Sequence, residues 1–182
     1  MRAEATHRVA QRFGPGRAYA QNVHGVAKAL IAGWQFSGGT IFQTGLPFSP
    51  TLNNNASINA DIGLIPDIVP GVDPYNVPGG QSRNLWFNPA AYTIPAPYQY
   101  GNSAHNSLRG PNFFSADWAF SKRFFFTETK SLQFRWEMFN IFNNTNLSTP
   151  NGAVDAGAGS AGVITGLASL PRQMQVGLKF EF

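Results

Sequence analysis

From position 173 to the end, the chain alternates without a break. Met174, Val176, Leu178, Phe180 and Phe182 are apolar, and Gln173, Gln175, Gly177, Lys179 and Glu181 lie between them. Successive side chains of a strand point to opposite faces, whereas a helix would scatter this pattern around its circumference. The segment therefore predicts a strand with one apolar and one polar face. The same parity runs through Leu132, Phe134, Trp136 and Met138, where the odd positions are Gln133, Arg135 and Glu137. It recurs in Phe114, Ala116, Trp118 and Phe120 around Ser115, Asp117, Ala119 and Ser121, and in Trp34, Phe36 and Phe42 around Gln35, Ser37 and Gln43, with Ile41 breaking the rule.

These runs predict four strands near 30–43, 113–126, 131–143 and 172–182. The middle two are separated only by Thr127, Glu128, Thr129 and Lys130, a hairpin turn. The other connections are long. Residues 45–111 contain Leu46-Pro47, Val69-Pro70-Gly71, Val77-Pro78-Gly79-Gly80 and Asn88-Pro89, and frequent proline forbids long helices or central strands. Residues 144–171 are rich in Gly and Ala. Connections of this length are functional or folded on themselves.

A soluble β-sandwich also alternates. Three features favour a transmembrane β-barrel instead. The apolar face is built from Trp34, Trp118, Phe120, Phe134, Trp136, Phe180 and Phe182, with few small residues to interdigitate. The opposite face carries charges in mid-strand. Short turns alternate with long loops, as in outer-membrane barrels. Eleven residues at about 3.3 Å each, tilted by about 45°, rise about 25 Å, the height of the apolar band of such a barrel.

The expected fold is thus all-β, an antiparallel meander forming the last four strands of a transmembrane β-barrel, with long irregular outer loops. Expected to face the membrane are Trp34, Phe36, Trp118, Phe120, Phe134, Trp136, Met138, Met174, Val176, Leu178, Phe180 and Phe182; Asp117, Arg135, Glu137, Lys179 and Glu181 are expected in the barrel interior. Phe124, Phe125 and Phe126 at the turn, with Phe139 and Phe142 at the other end, read as interfacial girdles or as ordinary packing under a hairpin. Lys122 sits on the apolar parity and would snorkel near an interface. A periplasmic turn at 127–130 would send the strand at 30–43 outward and 172–182 inward, ending the chain on an aromatic residue at the periplasmic side.

Charge adds little. Only 12% of residues are charged, while Phe alone occurs 16 times. Residues 1–28 hold Arg2, Arg8, Arg12, Arg17 and Lys28 against Glu4, which accounts for the whole net charge of +4. No basic stripe interleaved with exposed aromatics follows, so no nucleic-acid partner is expected. Cysteine is absent, and His7, His24 and His105 stand far apart, which removes a thiol nucleophile, a disulfide scaffold and the usual zinc ligand sets. The opening residues hold no apolar stretch of the kind a secretory signal needs.

Short motifs resemble, in order, the C-terminal end of TonB-dependent outer membrane receptors of the Oar-like, acidobacterial type. They are Gly33-Trp34-Gln35-Phe36-Ser37-Gly38, Gln43-Thr44-Gly45-Leu46-Pro47-Phe48, Phe87-Asn88-Pro89-Ala90-Ala91-Tyr92, Gly101-Asn102 and Asn106-Ser107-Leu108-Arg109-Gly110-Pro111. The most specific is Leu132-Gln133-Phe134-Arg135-Trp136-Glu137-Met138-Phe139-Asn140-Ile141-Phe142-Asn143-Asn144-Thr145-Asn146, followed by Gly162-Val163-Ile164-Thr165 and the closing Pro171-Arg172-Gln173. The resemblance implies uptake of an unidentified substrate through a plugged barrel of about 22 strands, energised by TonB, in the cell outer membrane of a Gram-negative bacterium. The implied partners are outer-membrane lipid, the remainder of the barrel and the plug, with TonB and the barrel assembly machinery for the full-length receptor; no cofactor is implied. Arg12-Phe13-Gly14-Pro15-Gly16-Arg17 looks like a periplasmic turn of the family. Residues 1–29 are accordingly expected to be a truncated basic N-terminus with that turn, its preceding strand cut short, and 30–182 the C-terminal part of the barrel. A fragment of this kind is expected to be inactive alone.

The alternative is a soluble β-rich binding or adhesion module. An enzyme is not expected, because no nucleophile, base or metal cluster converges. Gly157-Ala158-Gly159-Ser160-Ala161-Gly162 spells a dinucleotide fingerprint but lacks the strand before it and the helix after it. Asp61, Asp67 and Asp73 are too widely spaced for a calcium loop. Arg135 and Glu137 share a strand face, as in a solvated charge ladder.

Overall fold

The computed structural model describes residues 2–9, 32–53 and 64–182. Its strands are β1 (Arg2–Val9), β2 (Trp34–Gln43), β3 (Pro47–Phe48), β4 (Asp67–Ile68), β5 (Tyr92–Thr93), β6 (Leu108–Arg109), β7 (Phe113–Phe125), β8 (Ser131–Phe139) and β9 (Gln173–Glu181). Among the described residues there is no α-helix, and no helix long and apolar enough to cross a membrane. The chain divides into two units, one holding the large sheet and the other formed by residues 44–113 and 146–169.

The sheet unit is an antiparallel sheet of five strands in the order β1-β2-β7-β8-β9. Register fixes its faces: Phe120, Trp136 and Val176 are aligned across β7, β8 and β9, and so are Ser121, Arg135 and Gly177. β7 and β8 are joined by a tight turn, in which Phe126 N–H donates to the Lys130 carbonyl at 3.0 Å and Lys130 N–H to Thr127 Oγ1 at 3.0 Å. The connections 44–112 and 140–172 both leave from the opposite end, because β2 and β8 run the same way.

β1 is a strand that the sequence pattern left out. Residues 2–9, taken above as part of a truncated basic terminus, pair with β2 along their whole length, Ala3 opposite Phe42 and Val9 opposite Phe36. The alternation is present in Ala3, Ala5, His7 and Val9, but small and polar residues mute it. The turn motif at 12–17 and the first residues of the strand expected from position 30 lie outside the described residues.

β8 ends where its parity slips, and the cause is Asn140. Its φ of 49° is left-handed, a region asparagine tolerates better than most residues. Its side chain is buried and tied three ways: Nδ2 donates to the carbonyls of Asn144 at 2.9 Å and Leu170 at 3.1 Å, and Oδ1 accepts from Asn144 N–H at 2.9 Å. Asn143, also left-handed at 51°, accepts from Arg172 N–H at 3.0 Å. The Asn-rich motif after β8 therefore fixes both the end of that strand and the approach to β9.

The second unit consists of the long irregular loops, with four two-residue strands and a 3-10 turn, folded on themselves. β3 pairs with β6 and β4 with β5, and Phe48, Phe87 and Leu108 form a buried core against Trp86, Tyr92 and Val154. Residues from both connections build it. Trp86 N–H donates to the Gly162 carbonyl at 2.8 Å, Ile164 N–H to the Arg83 carbonyl at 2.8 Å, and the Arg83 guanidinium to the carbonyls of Ile164 and Thr165. A 3-10 turn at Pro89–Ala91 is capped by Asn88, whose Oδ1 accepts from Ala90 N–H at 3.1 Å. Close approach replaces periodicity here: a Cβ on Gly45 would fall 1.8 Å from the Gly110 carbonyl oxygen. Gly157, Gly159 and Gly162 all have φ above +70°, so the apparent dinucleotide fingerprint is a run of left-handed turns.

Candidate functional site

The chemistry of this chain is divided between the two faces of the sheet. On the even face, β2 supplies Trp34 and Phe36, β7 Trp118 and Phe120, β8 Phe134, Trp136 and Met138, and β9 Met174, Val176, Leu178 and Phe180. The rings form a continuous band: Phe36 lies 5.6 Å from Trp118 and 5.0 Å from Phe120, Phe120 6.2 Å from Trp136, and Trp34 5.8 Å from Phe134. Gly38 makes room for it, since a Cβ there would meet the Trp118 ring at 2.9 Å. Along β9 these side chains stand open, Leu178 being 68% exposed. Met138 differs, lying on the same face but buried at 4% exposure. Phe182 lies just past the end of β9 and stacks on Phe180 at 6.0 Å.

The odd face is polar. Arg135 pairs with Glu137 at 2.5 Å, and Lys179 with Glu181 at 2.9 Å; Arg123 approaches Glu181 at 3.8 Å. Gln175 donates to the Glu137 carboxylate, and Ser131 to Glu181 at 3.2 Å. Four of the five residues expected on an interior wall thus fall into two ladders, Arg135 and Glu137 with Gln175, and Lys179 and Glu181 with Arg123 and Ser131. Asp117 stands apart: its Oδ1 accepts from Asn140 N–H at 2.8 Å and from Ser115 at 3.3 Å, which makes it a support for the turn after β8. Arg123, Gln175 and Ser131 are ladder members that the sequence reading passed over, although their odd parity marked them. Among the described residues no His, Asp or Glu cluster could hold a metal ion.

Residues 4–175 match the family model of the outer membrane beta barrel domain. The chain belongs to that family. No curated protein and no solved structure matches it. Membership points to the outer membrane and explains the two-faced sheet, because the wall of a membrane barrel separates hydrocarbon from a polar interior. The five strands described here are fewer than the roughly eight of the smallest barrels.

Lys122 is the exception on the even face of this barrel sheet. Instead of snorkelling into open water it is 3% exposed. Its Nζ donates to the Ala32 carbonyl at 2.6 Å, 5.5 Å from the centre of the Trp34 ring and 5.0 Å from that of Phe124. A carbonyl and two aromatic faces take the place of water around the ammonium group. Nearby, Phe125 and Phe126 are exposed, as interfacial rings would be, but Phe125 follows the polar parity, opposite Ser131. At the far end Phe142 packs on Phe114 and Trp118 at 5.9 Å each, while Phe139 follows the polar parity, opposite Gln173.

Proposed function

We propose that this chain forms part of the barrel wall of a TonB-dependent outer membrane receptor of the Oar-like type, which imports a substrate through a plugged barrel. The observation that carries the reading is the pairing of a continuous aromatic and aliphatic band on one face, open along β9, with charge ladders on the other. In it the even-face residues, from Trp34 to Phe182, contact lipid, and Arg135, Glu137, Lys179 and Glu181 line the interior with Asp117. The unit formed by residues 44–113 and 146–169 is the outer, substrate-meeting part, and the β7–β8 turn is periplasmic. The order of motifs from Gly33 to Arg172 favours the TonB-dependent class over other barrels. Substrate capture, energy coupling through TonB and passage past the plug belong to the complete receptor.

Placement is tested with single-tryptophan variants of the full chain, reconstituted into vesicles of brominated-acyl phosphatidylcholine. Trp136 is expected to be quenched and Trp86 to keep its emission. Equal emission of Trp136 in brominated and plain lipid would overturn the membrane assignment and favour a water-soluble module. The receptor class is tested on the coding DNA immediately 5′ to the Met1 codon. An in-frame or frameshifted continuation encoding further alternating strands and a plug is expected, and unrelated sequence there would remove the proposed class.

A further inference from the structure

We infer that the turn carrying Tyr98 and Tyr100 is a stacking platform for a neutral carbohydrate. Tyr98 is 75% exposed and Tyr100 67%. Among the described residues the non-glycine positions with positive φ are Tyr98, at 63°, and three asparagines. Asparagine adopts this conformation readily and an aromatic residue does not, so Tyr98 is an outlier held in place by its surroundings.

Those surroundings are rigid. Pro95 and Pro97 restrict the chain before the turn, and Gln99 N–H closes it by donating to the Ala96 carbonyl at 3.1 Å. Behind it, Asn102 N–H donates to Asp67 Oδ1 at 3.0 Å while Asn102 Oδ1 accepts from Ile68 N–H at 2.8 Å, a reciprocal clamp onto β4. Ser103 N–H reaches the Pro66 carbonyl at 3.1 Å. Gly101 lies so close beneath Ile65 that a Cβ would fall 2.0 Å from its carbonyl oxygen. Two exposed rings on a clamped turn lose little freedom when a ligand arrives, which is the condition for affinity from a small contact.

The chemistry of the ligand follows from the stretch of chain that carries the rings and the residues before it. Residues 64–104 contain three charged side chains, Asp67, Asp73 and Arg83. Each bonds backbone of its own unit: Asp67 accepts from Asn102, Asp73 from Tyr75 N–H at 2.8 Å, and Arg83 donates to Ile164 and Thr165. The turn offers two phenols and no cation, which disfavours an anionic chelate or a nucleic acid. A flat ring bearing a hydroxyl suits a ligand with an apolar C–H face and a polar edge, which is how a pyranose is built. Aromatic usage agrees: Tyr75, Tyr92, Tyr98 and Tyr100 all lie in this unit, whereas the sheet is built from Phe and Trp.

The inference rests on this unit being the outer part of the proposed receptor, but sugar binding is measured separately from the lipid quenching above. The full chain, folded in detergent micelles, is titrated with laminarihexaose, maltohexaose and xylohexaose, and with ferric citrate as an anionic comparator. Saturable binding of at least one hexasaccharide is expected, weakened at least tenfold in Tyr98→Ala and in Tyr100→Leu, with ferric citrate silent. Amide exchange of Leu108 and Phe87 identifies any variant that has lost the fold of the unit. Tyr100→Leu keeps side-chain bulk at a position without backbone strain, so it remains informative if Tyr98→Ala does not fold. Binding of none of the three sugars, or binding unchanged in a folded variant, would overturn the inference; a positive ferric citrate titration with silent sugars would assign the platform to anionic chelates instead.

Discussion

The two units of this chain put their large apolar side chains to opposite uses. In the sheet, aromatic rings form a band along one face, and along β9 Met174, Val176, Leu178 and Phe180 stand open. In the other unit, Phe48, Phe87 and Leu108 turn inward to make an ordinary core, and the outward rings are tyrosines. A core needs a solvent it can exclude, whereas the sheet needs hydrocarbon to cover it. One chain therefore carries surfaces for two solvents, and the change comes at Gln43 and Phe113, where the long connection leaves and rejoins the strands.

The largest expected effect separates the units directly. Phe87 is fully buried, and Phe87→Ala is expected to cost about 3–5 kcal/mol within its own unit. Amide exchange should rise at Leu108 and Ile164 while β8 stays protected; equal loosening of both would make the two units one cooperative body. The next prediction uses the solvent. Leu178→Arg should lose about 2–4 kcal/mol in urea titrations in lipid vesicles, if it lies near the bilayer midplane. Gln175→Arg, which keeps a donor beside Glu137, should leave stability unchanged, and a reversed order would exchange the two faces.

Asn140 is a loop-like element inside the sheet unit. Asn140→Ala loses three side-chain hydrogen bonds and a favourable left-handed residue, roughly 1–3 kcal/mol, and should free the amide of Asn144. Asn140→Gly should recover only the backbone share. Lys122→Met keeps the stem but removes the cation, for an expected loss of about 0.5–2 kcal/mol, read as earlier unfolding in urea with the β2 end affected first. The smallest effect depends on pH. Burial raises the Tyr92 phenol above its ordinary value, outweighing a hydrogen bond with Ser107 that lowers it. The neutral form is thus favoured in the folded state, so its contribution is complete below the ordinary tyrosine pKa of about 10 and is lost as pH rises through the folded value. Amide exchange at Val69, which donates to Ala91 beside Tyr92, should quicken there in the wild type more than in Tyr92→Phe.

The sheet could be read from sequence because a strand between two solvents must alternate, and Trp, Phe, Arg and Glu make that alternation loud. β1 was missed because Ala3 and Ala5 carry the same phase with side chains too small to mark it. The loop unit left only hints. Its order depends on backbone bonds between residues far apart, such as Trp86 with Gly162, and on glycines whose need appears only when a distant carbonyl arrives, as Gly110 does against Gly45. The charge ladders were half legible: parity identified Arg135 with Glu137 and Lys179 with Glu181, but the contacts of Arg123 and Ser131 with Glu181, and of Gln175 with Glu137, required the register of three strands.

Strand direction has a consequence for assembly. With five alternating strands, β1 and β9 point the same way. A ring of such sheets joined head to tail would place β9 of one copy beside β1 of the next in parallel, breaking the all-antiparallel weave at every seam. A single antiparallel cylinder containing this sheet instead needs an odd number of additional strands between β9 and β1. Head-to-tail copies of this sheet therefore cannot close an all-antiparallel cylinder by themselves.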